Sequence, residues 1–200
     1  MIIALDLHDF SIVENRLDLL LKLKEIYPDF KVSLFTVPID KKKDWGSYLI
    51  RRENLAKIKA NLDWMQIIPH GLYHDSNREM MVGYELFKHD ILPKIEEAFQ
   101  LDGLPYEKGF CAPHWRWTEE VVKVLDEFGW WGAIDPRQNK PCPKRFYAYS
   151  HKLDEPLEGE LLKIHGHIYG TRNDIGLNFN KLTNLKDVEW HYITDFLETK

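Results

Sequence analysis

The sequence predicts an α/β fold, built on a mostly parallel sheet or a barrel. Short apolar, β-favouring runs alternate with helical repeats along all 200 residues, which argues against a sandwich. Polar clusters fall just behind five of the predicted strands: His8-Asp9, residues 70–75, 111–117, 135–137 and 165–167. The carboxyl ends of parallel strands gather at one rim, so clusters scattered along the chain predict a single site.

Residues 2–7 (IIALDL) form the first strand and run into His8-Asp9-Phe10-Ser11. Ser11, with Glu14 at capping-box spacing, opens a helix carrying Leu17, Leu20, Leu21 and Ile26, which Pro28 ends. Residues 31–37 (KVSLFTV) are the second strand, and the three lysines of residues 40–45 mark a solvated loop. A helical period over 53–62 precedes the third strand, 64–69, which delivers His70 and His74. Residues 83–100 hold a helix kinked near Pro93. A short strand at 109–112 leads into Pro113-His114-Trp115-Arg116-Trp117, and Thr118 caps a helix stopped by Gly129. Strands follow at 130–134, 146–149 and 161–164, the last ending in His165-Gly166-His167, with a Pro- and Lys-rich loop at 135–145. Asn184 opens a final helix through Leu185, Val188, Tyr192 and Phe196.

Length fits one domain over residues 1–200 with a sizeable core. With 27 basic against 32 acidic side chains and no basic stripe, nucleic acid is not the expected partner. No apolar run approaches the roughly 18 residues of a membrane span. The chain opens on a strand rather than a signal peptide, and Cys111 and Cys142 are too few for a disulfide framework, so the expected location is the cytosol. Composition leaves the oligomeric state open.

His70 and His74 stand four apart, and one helical turn after Gly71 would set both on one face. With Asp9 they make two imidazoles and a carboxylate, a ligand set for a zinc-type divalent ion that keeps an open position for water. Such a water has its pKa lowered toward about 7, and amide hydrolysis also needs a base and an acid. His165 or His167 suits the acid. Blander roles compete: an Asp ahead of a helix is commonly a cap, and a strand His is commonly a satisfied core residue.

Residues 3–9 (IALDLHD), His70-Gly71-Leu72-Tyr73-His74, Cys111-Ala112-Pro113-His114-Trp115 and Lys163-Ile164-His165 together resemble the motifs of the polysaccharide deacetylase (NodB-homology) superfamily, carbohydrate esterase family four. The resemblance spans nearly the whole chain, with residues 31–38 similar to the family's second strand. It implies a distorted (β/α)7 barrel and metal-dependent removal of an acetyl group from an amino sugar. The ion it implies is single and divalent, Zn2+ first, with Co2+, Ni2+ or Mn2+ as alternatives. The implied partner is a small carbohydrate or amino-sugar substrate.

Two positions depart from the family's pattern. Where the family places a catalytic Asp base and its Arg partner, this chain has His8 and Cys111. Removing one member of a buried ion pair costs roughly 3–5 kcal/mol, whereas exchanging both for neutral groups is close to cost-free. His8 then inherits the base role, with Asp6 orienting its other ring nitrogen. The rival readings are that Asp6 is the base, that His8 is a further metal ligand, or that the base is lost and the chain only binds sugar. A purely structural metal is a further possibility. Substrate contacts are expected from Cys111, Pro113, His114 and Trp115 in the third motif, from Asp135 and Arg137, and from Tyr169, while Trp130 and Trp131 are expected in the core. For Asp135 and Arg137 a surface ion pair is an equal reading, and Cys111 is not expected to be a nucleophile.

Overall fold

The first strand is the stave against which the other strands are laid, and its alternation sorts the whole interior. The computed structural model describes residues 1–39, 45–74 and 78–200, so the predicted lysine loop up to residue 44, and Asp75, lie outside the described residues. In chain order the elements are β1 (Ile2–Phe10), α1 (Leu17–Ile26), β2 (Val32–Thr36), α2 (Trp45–Lys59), β3 (Met65–Pro69), α3 (Tyr84–Leu86), α4 (Leu92–Asp102), β4 (Gly109–Phe110), α5 (Glu119–Glu127), β5 (Trp131–Ile134), β6 (Arg145–Ala148), β7 (His151–Lys152), β8 (Leu161–His167), α6 (Ile175–Thr183), β9 (Glu189–His191) and β10 (Glu198–Thr199).

Parallel ladders run from β3 through β2 and β1 to β8 and β7, and separately from β4 through β5 to β6. Two seams join them. Across β3 and β4, Glu107 N donates to Ile67 O (2.9 Å) and Cys111 N to Pro69 O (3.1 Å). On the far side β6 leaves one ladder and, two residues later, enters the other as β7. The strands therefore follow one another in chain order from β1 to β8 and back to β1, the order of a distorted (β/α)7 barrel, with a sparse β3–β4 seam. Below this ring β9 pairs with the start of β1, and β10 adds antiparallel to β6.

Period-2 alternation divides the side chains into two layers. Ile3, Leu5, Leu7, Val32, Leu34, Ile67, Leu162 and Ile164 share the outer core with Leu20, Leu23, Ile95, Phe99, Val121 and Leu125 of the helices. Ala4, Phe35, Ile68, Cys111, Trp131, Ala133, Tyr147 and Tyr149 come from staves all round the ring yet pack together, so they fill its interior. The lower end is closed by a 3-10 turn, Ile193–Phe196: Ile193 N donates to Ser33 Oγ (3.2 Å), and Gln66 Nε2 donates to Thr194 Oγ1 (2.9 Å).

Several expected boundaries move. Ser11 does not cap α1; its hydroxyl accepts from Glu14 N (2.9 Å) in a separate turn, and Asn15 Oδ1 meets Leu17 N (3.0 Å) at the helix start. The kink expected near Pro93 is a π-turn, Phe87–Ile91, between α3 and α4, where the missing proline N–H leaves the α-ladder one bond short. The final helix from Asn184 is absent. Asn184 instead ends α6, whose N-cap Asp174 accepts from Gly176 N (2.6 Å) and Leu177 N (3.3 Å), and the following residues form β9 and the floor turn. Thr118 and Gly129 bracket α5 as expected, the Thr118 hydroxyl accepting from Val121 N (3.2 Å).

Candidate metal centre

Strict alternation along β1 would turn Ala4, Asp6 and His8 inward and Asp9 outward. Between Leu7 and Phe10 the register against β2 slips: Leu7 pairs with Leu34 but Phe10 with Thr36, so one residue is extra on β1. Asp9 takes φ 60° at this β-bulge and swings inward beside His8. On β3, His70 follows the last stave residue, and Gly71 (φ 69°) turns the chain so that His74 comes back over it. No helical turn is involved; His74 itself has φ 53°, which corrects the expected i, i+4 geometry. Glu79 fastens this loop, its Oε1 accepting from Leu72 N and Tyr73 N.

Asp9 Oδ1 then lies 3.4 Å from His70 Nε2 and 3.1 Å from His74 Nε2. For ligands about 2.0–2.1 Å from one ion, the edge of a tetrahedron is about 3.3 Å, so these separations match a shared cation. His70 Nδ1–H donates to the Cys111 carbonyl (2.9 Å), leaving Nε2 as the free lone pair. Asp9 Oδ1 is buried and has no hydrogen-bond donor, the expected state of an oxygen that answers a metal. These residues fit a divalent ion: two neutral nitrogens, one carboxylate oxygen, and an open side toward solvent.

The remaining inward residues form two layers set by the β1–β8 register, Asp6 opposite His165 and His8 opposite His167. In the lower layer Asp6 Oδ1 accepts from His165 Nδ1–H (2.8 Å) and is 3.3 Å from His8 Nε2. The strong partner of Asp6 is thus His165 rather than His8. Burial pushes the Asp6 pKa up, partly opposed by His165. In the upper layer His167 Nδ1–H donates to Asn173 Oδ1 (3.0 Å), and its Nε2 is 4.0 Å from Asp9 Oδ2. His8, 2% exposed, has Phe35, His70, Trp115, His165 and His167 around its ring. Burial first, then the neighbouring imidazoles, drive its pKa well below the histidine range, so it is neutral and a weaker base than free imidazole. Its Nδ1 faces the Cys111 thiol at 4.0 Å, so the two exchanged positions do meet as a neutral pair. Burial and the neighbouring carboxylates push that thiol pKa well up, away from nucleophile chemistry.

Around this centre, Pro113–Trp115 form a 3-10 turn in which His114 and Trp115 both have positive φ. The Trp115 ring covers His8 (4.9 Å) and His165 (5.2 Å), while exposed His114 lies 5.1 Å from the His74 ring. Asp135 stands one residue removed: it accepts from Tyr149 OH (2.7 Å), whose ring stacks on His165 at 4.9 Å. Arg137 turns to the surface and pairs with Glu155 (2.8 Å), the surface ion pair that was one of its two expected uses. A groove of about 330 Å³ runs beside Asp9 and His74, lined also by Val37, Ile39 and the half-exposed Tyr73 and Tyr169. Trp130 and Trp131 are core residues, as expected.

No family model and no curated protein sequence matches the chain. Solved structures do. A family 4 carbohydrate esterase from Streptomyces lividans, in complex with acetate, aligns over 90% of this chain and 84% of its own at 13% identity and TM-score 0.55. A family 4 acetyl xylan esterase from Clostridium thermocellum, in complex with a cobalt ion, aligns over 98% and 88% at 12% identity and TM-score 0.57. A family 4 pseudoenzyme from Bacillus anthracis aligns over 97% of this chain at 15% identity and TM-score 0.56, and this chain spans 64% of its length. The chain has the fold of the family 4 carbohydrate esterases. Among its described residues no helix is long and apolar enough to cross a membrane.

Within that fold, sequence reasoning missed Glu79, Asn173, Tyr147 and Tyr149. Asn173 alone carried a signal, since a side-chain amide six residues behind His167 can reach back around the Gly170 turn to its Nδ1. Asn173 also donates to the His165 carbonyl (3.2 Å), and Thr171 Oγ1 donates to its Oδ1 (2.6 Å).

Proposed function

We propose that this chain is a divalent-metal-dependent hydrolase that removes an acetyl group from an N-acetylated sugar or related carbohydrate, with residues 1–200 acting as one domain. The Asp9–His70–His74 cage carries the reading: its tetrahedral edge lengths and the donor-less buried Asp9 oxygen lie beside a groove that Tyr73 and Tyr169 help to line. A cation bound there, Zn2+ or another ion of the same class, would supply a Lewis acid and a water with its pKa lowered toward about 7. The chain's own part is positioning and proton handling. His167 is the imidazole at the rim, with Nδ1 fixed by Asn173 and Nε2 turned to Asp9, so it is the group that carries the proton between water and leaving group. His165, held by Asp6, supports it from below, and neutral His8 fills the space where a base would have to be charged. Tyr73 and Tyr169 bring aromatic rings to this groove, a surface suited to a sugar's C–H edges, and Val37 and Ile39 beside them suit an acetyl methyl.

The test is acetate release from an N-acetylated chito-oligosaccharide and from an aryl acetate, after metal-stripped protein is loaded with Zn2+ or Co2+, with His70→Ala as control. Turnover that needs both metal and His70 supports the reading, and metal uptake without turnover on either substrate sinks it. The second reading, a metal-containing sugar-binding pseudoenzyme, is favoured by one observation: His8 turns its nitrogens to Asp6 and Cys111, and burial weakens it as a base. Saturable oligosaccharide binding with no acetate release would select it.

A further inference from the structure

Six metal-ligating side chains meet at this rim, more than one ion can use in the arrangement they adopt. Donors bound to one ion at about 2.1 Å lie no more than about 4.2 Å apart, even across an octahedron. Here the donors divide. Asp9, His70 and His74 lie within 4.8 Å of one another, and so do His8, His165 and His167, but the six do not form one such group. His8 also approaches His70 and Cys111, yet His70 Nδ1 is committed to the Cys111 carbonyl and its Nε2 to the first group.

The second trio is built as a ligand set. His165 and His167 have Nδ1 tied to Asp6 (2.8 Å) and Asn173 (3.0 Å), so each presents Nε2, the orientation that outer carboxylates and amides give to metal-binding histidines. His8 is 98% buried, and its Nε2, 3.3 Å from Asp6 Oδ1, completes no hydrogen bond there. A dry imidazole nitrogen that completes no hydrogen bond, among two further imidazoles, is costly unless something answers it. The Asp9 carboxylate joins the halves: Oδ1 faces His70 and His74, while Oδ2 is 4.0 Å from His167 Nε2. One oxygen toward each group is how a carboxylate bridges cations roughly 3.5–4 Å apart.

We propose that His8, His165 and His167, with Asp9 as the shared edge, form a second divalent-cation site, and that filling it inhibits the protein by capturing the proton-carrying His167. This rests on the reading of Asp9, His70 and His74 as the first site. Occupancy is sequential, because the second cation enters beside the charge of the first and binds more weakly, by roughly tenfold or more.

Calorimetric titration of metal-stripped protein with Zn2+ should show two classes of site, and titration with Co2+ should show its paramagnetic signal per ion falling as the second equivalent couples to the first. Acetate release should rise over the first equivalent and fall over the second. His167→Gln should keep the first class and lose the second, along with the coupling; His70→Ala should lose the first. Asn173→Ala, a milder change, should weaken the second class by about 10–100-fold through loss of imidazole orientation. One class only in the wild type, with no coupling, overturns the second site and leaves the first intact, whereas no binding overturns both. Two coupled classes persisting in both His167→Gln and a His8→Gln variant would refute the ligand assignment.

Discussion

The most informative single change is Asp9→Asn. It conserves volume, and Asn tolerates the φ of 60° that Asp9 adopts, so the bulge and the barrel should survive. What it removes is the charged oxygen standing 3.1 and 3.4 Å from the two imidazoles. With Zn2+ at one hundred times its Kd, binding stabilises the native state by about 2.7 kcal/mol. In a domain of this size each kcal/mol moves Tm by about 2–4 °C, so the wild type should gain about 5–11 °C. If losing the carboxylate weakens binding about one hundredfold, the same Zn2+ concentration leaves about 0.4 kcal/mol, a shift of about 1–2 °C. Without metal, the two proteins should melt within a few degrees of each other. Differential scanning calorimetry with and without chelator reads all four values. An undiminished Zn2+ shift in Asp9→Asn, or no shift in the wild type with Zn2+, Co2+, Ni2+ or Mn2+, would refute the cage.

Three further outcomes follow from the same geometry. In Gly71→Ala, a β-carbon would lie 2.5 Å from Pro113 Cγ on a backbone at φ 69°, so urea melts should show a loss of about 2 kcal/mol or more, together with weaker Zn2+ binding; a change below about 0.5 kcal/mol would show that the loop yields freely. Asp6→Ala strips His165 Nδ1–H of its acceptor in a dry interior and should cost about 2–4 kcal/mol in a urea melt, while Asp6→Asn, which keeps an acceptor oxygen, should recover most of it; equal losses would exclude the hydrogen bond as the cause. In metal-free protein, burial lowers the His74 and His167 pKa values to about 4, so the folded state binds fewer protons than the unfolded chain between about pH 4 and 6.5. Stability present above pH 6.5 should therefore be lost through that window, by of order 2 kcal/mol per histidine at pH 5, and His74→Gln should flatten the profile; a wild-type profile already flat between pH 6.5 and 4.5 would contradict it.

What the sequence made legible follows from what alternation and spacing encode. Ile3, Leu5 and Leu7 against Ala4, Asp6 and His8 is a period-2 pattern that sorts β1 into an outer and an inner face, with Asp6 and His8 both buried on the inner one. The same pattern would put Asp9 outside; only the bulge reverses it, and a bulge depends on the β2 register, which no local stretch of β1 contains. The His70 and His74 rings do come together, at 4.8 Å, but Gly71 and a left-handed His74 do by a tight loop what a helix would do by its pitch. Leu185, Val188, Tyr192 and Phe196 imitate a helical stripe, but β9 pairs with β1 and the floor turn takes the rest. The real helix, α6, was hidden because glycine, asparagine and threonine dominate its polar positions, and its start rests on the Asp174 cap. Arg137 had two equal readings, and its ion-pair partner Glu155, eighteen residues away, is not marked by any local pattern.

The backbone itself says where this chain concentrates its strain. Among the described residues six non-glycines have positive φ, and four of them, Asp9, His74, His114 and Trp115, stand on the same rim. Each such residue costs of order 1 kcal/mol or more, so the rim carries about 4 kcal/mol against a net stability of about 5–15 kcal/mol. A rim serving only to close a barrel would have no reason to keep four such residues, when glycine or a regular strand end would fill each place at lower cost. Two of the four, Asp9 and His74, supply ligand atoms of the cage; His114 rests against His74, and Trp115 covers His8 and His165. Strain that falls on the atoms able to answer a cation is preorganisation: the donors are held 3.1–3.4 Å apart before any ion arrives, and binding does not have to assemble them. Glycine substitutions make this measurable. His114→Gly keeps the cage and relieves the backbone, so it should raise metal-free stability with little change in Zn2+ affinity; a fall in stability would mean that the left-handed turn is held by side-chain packing rather than retained for the site.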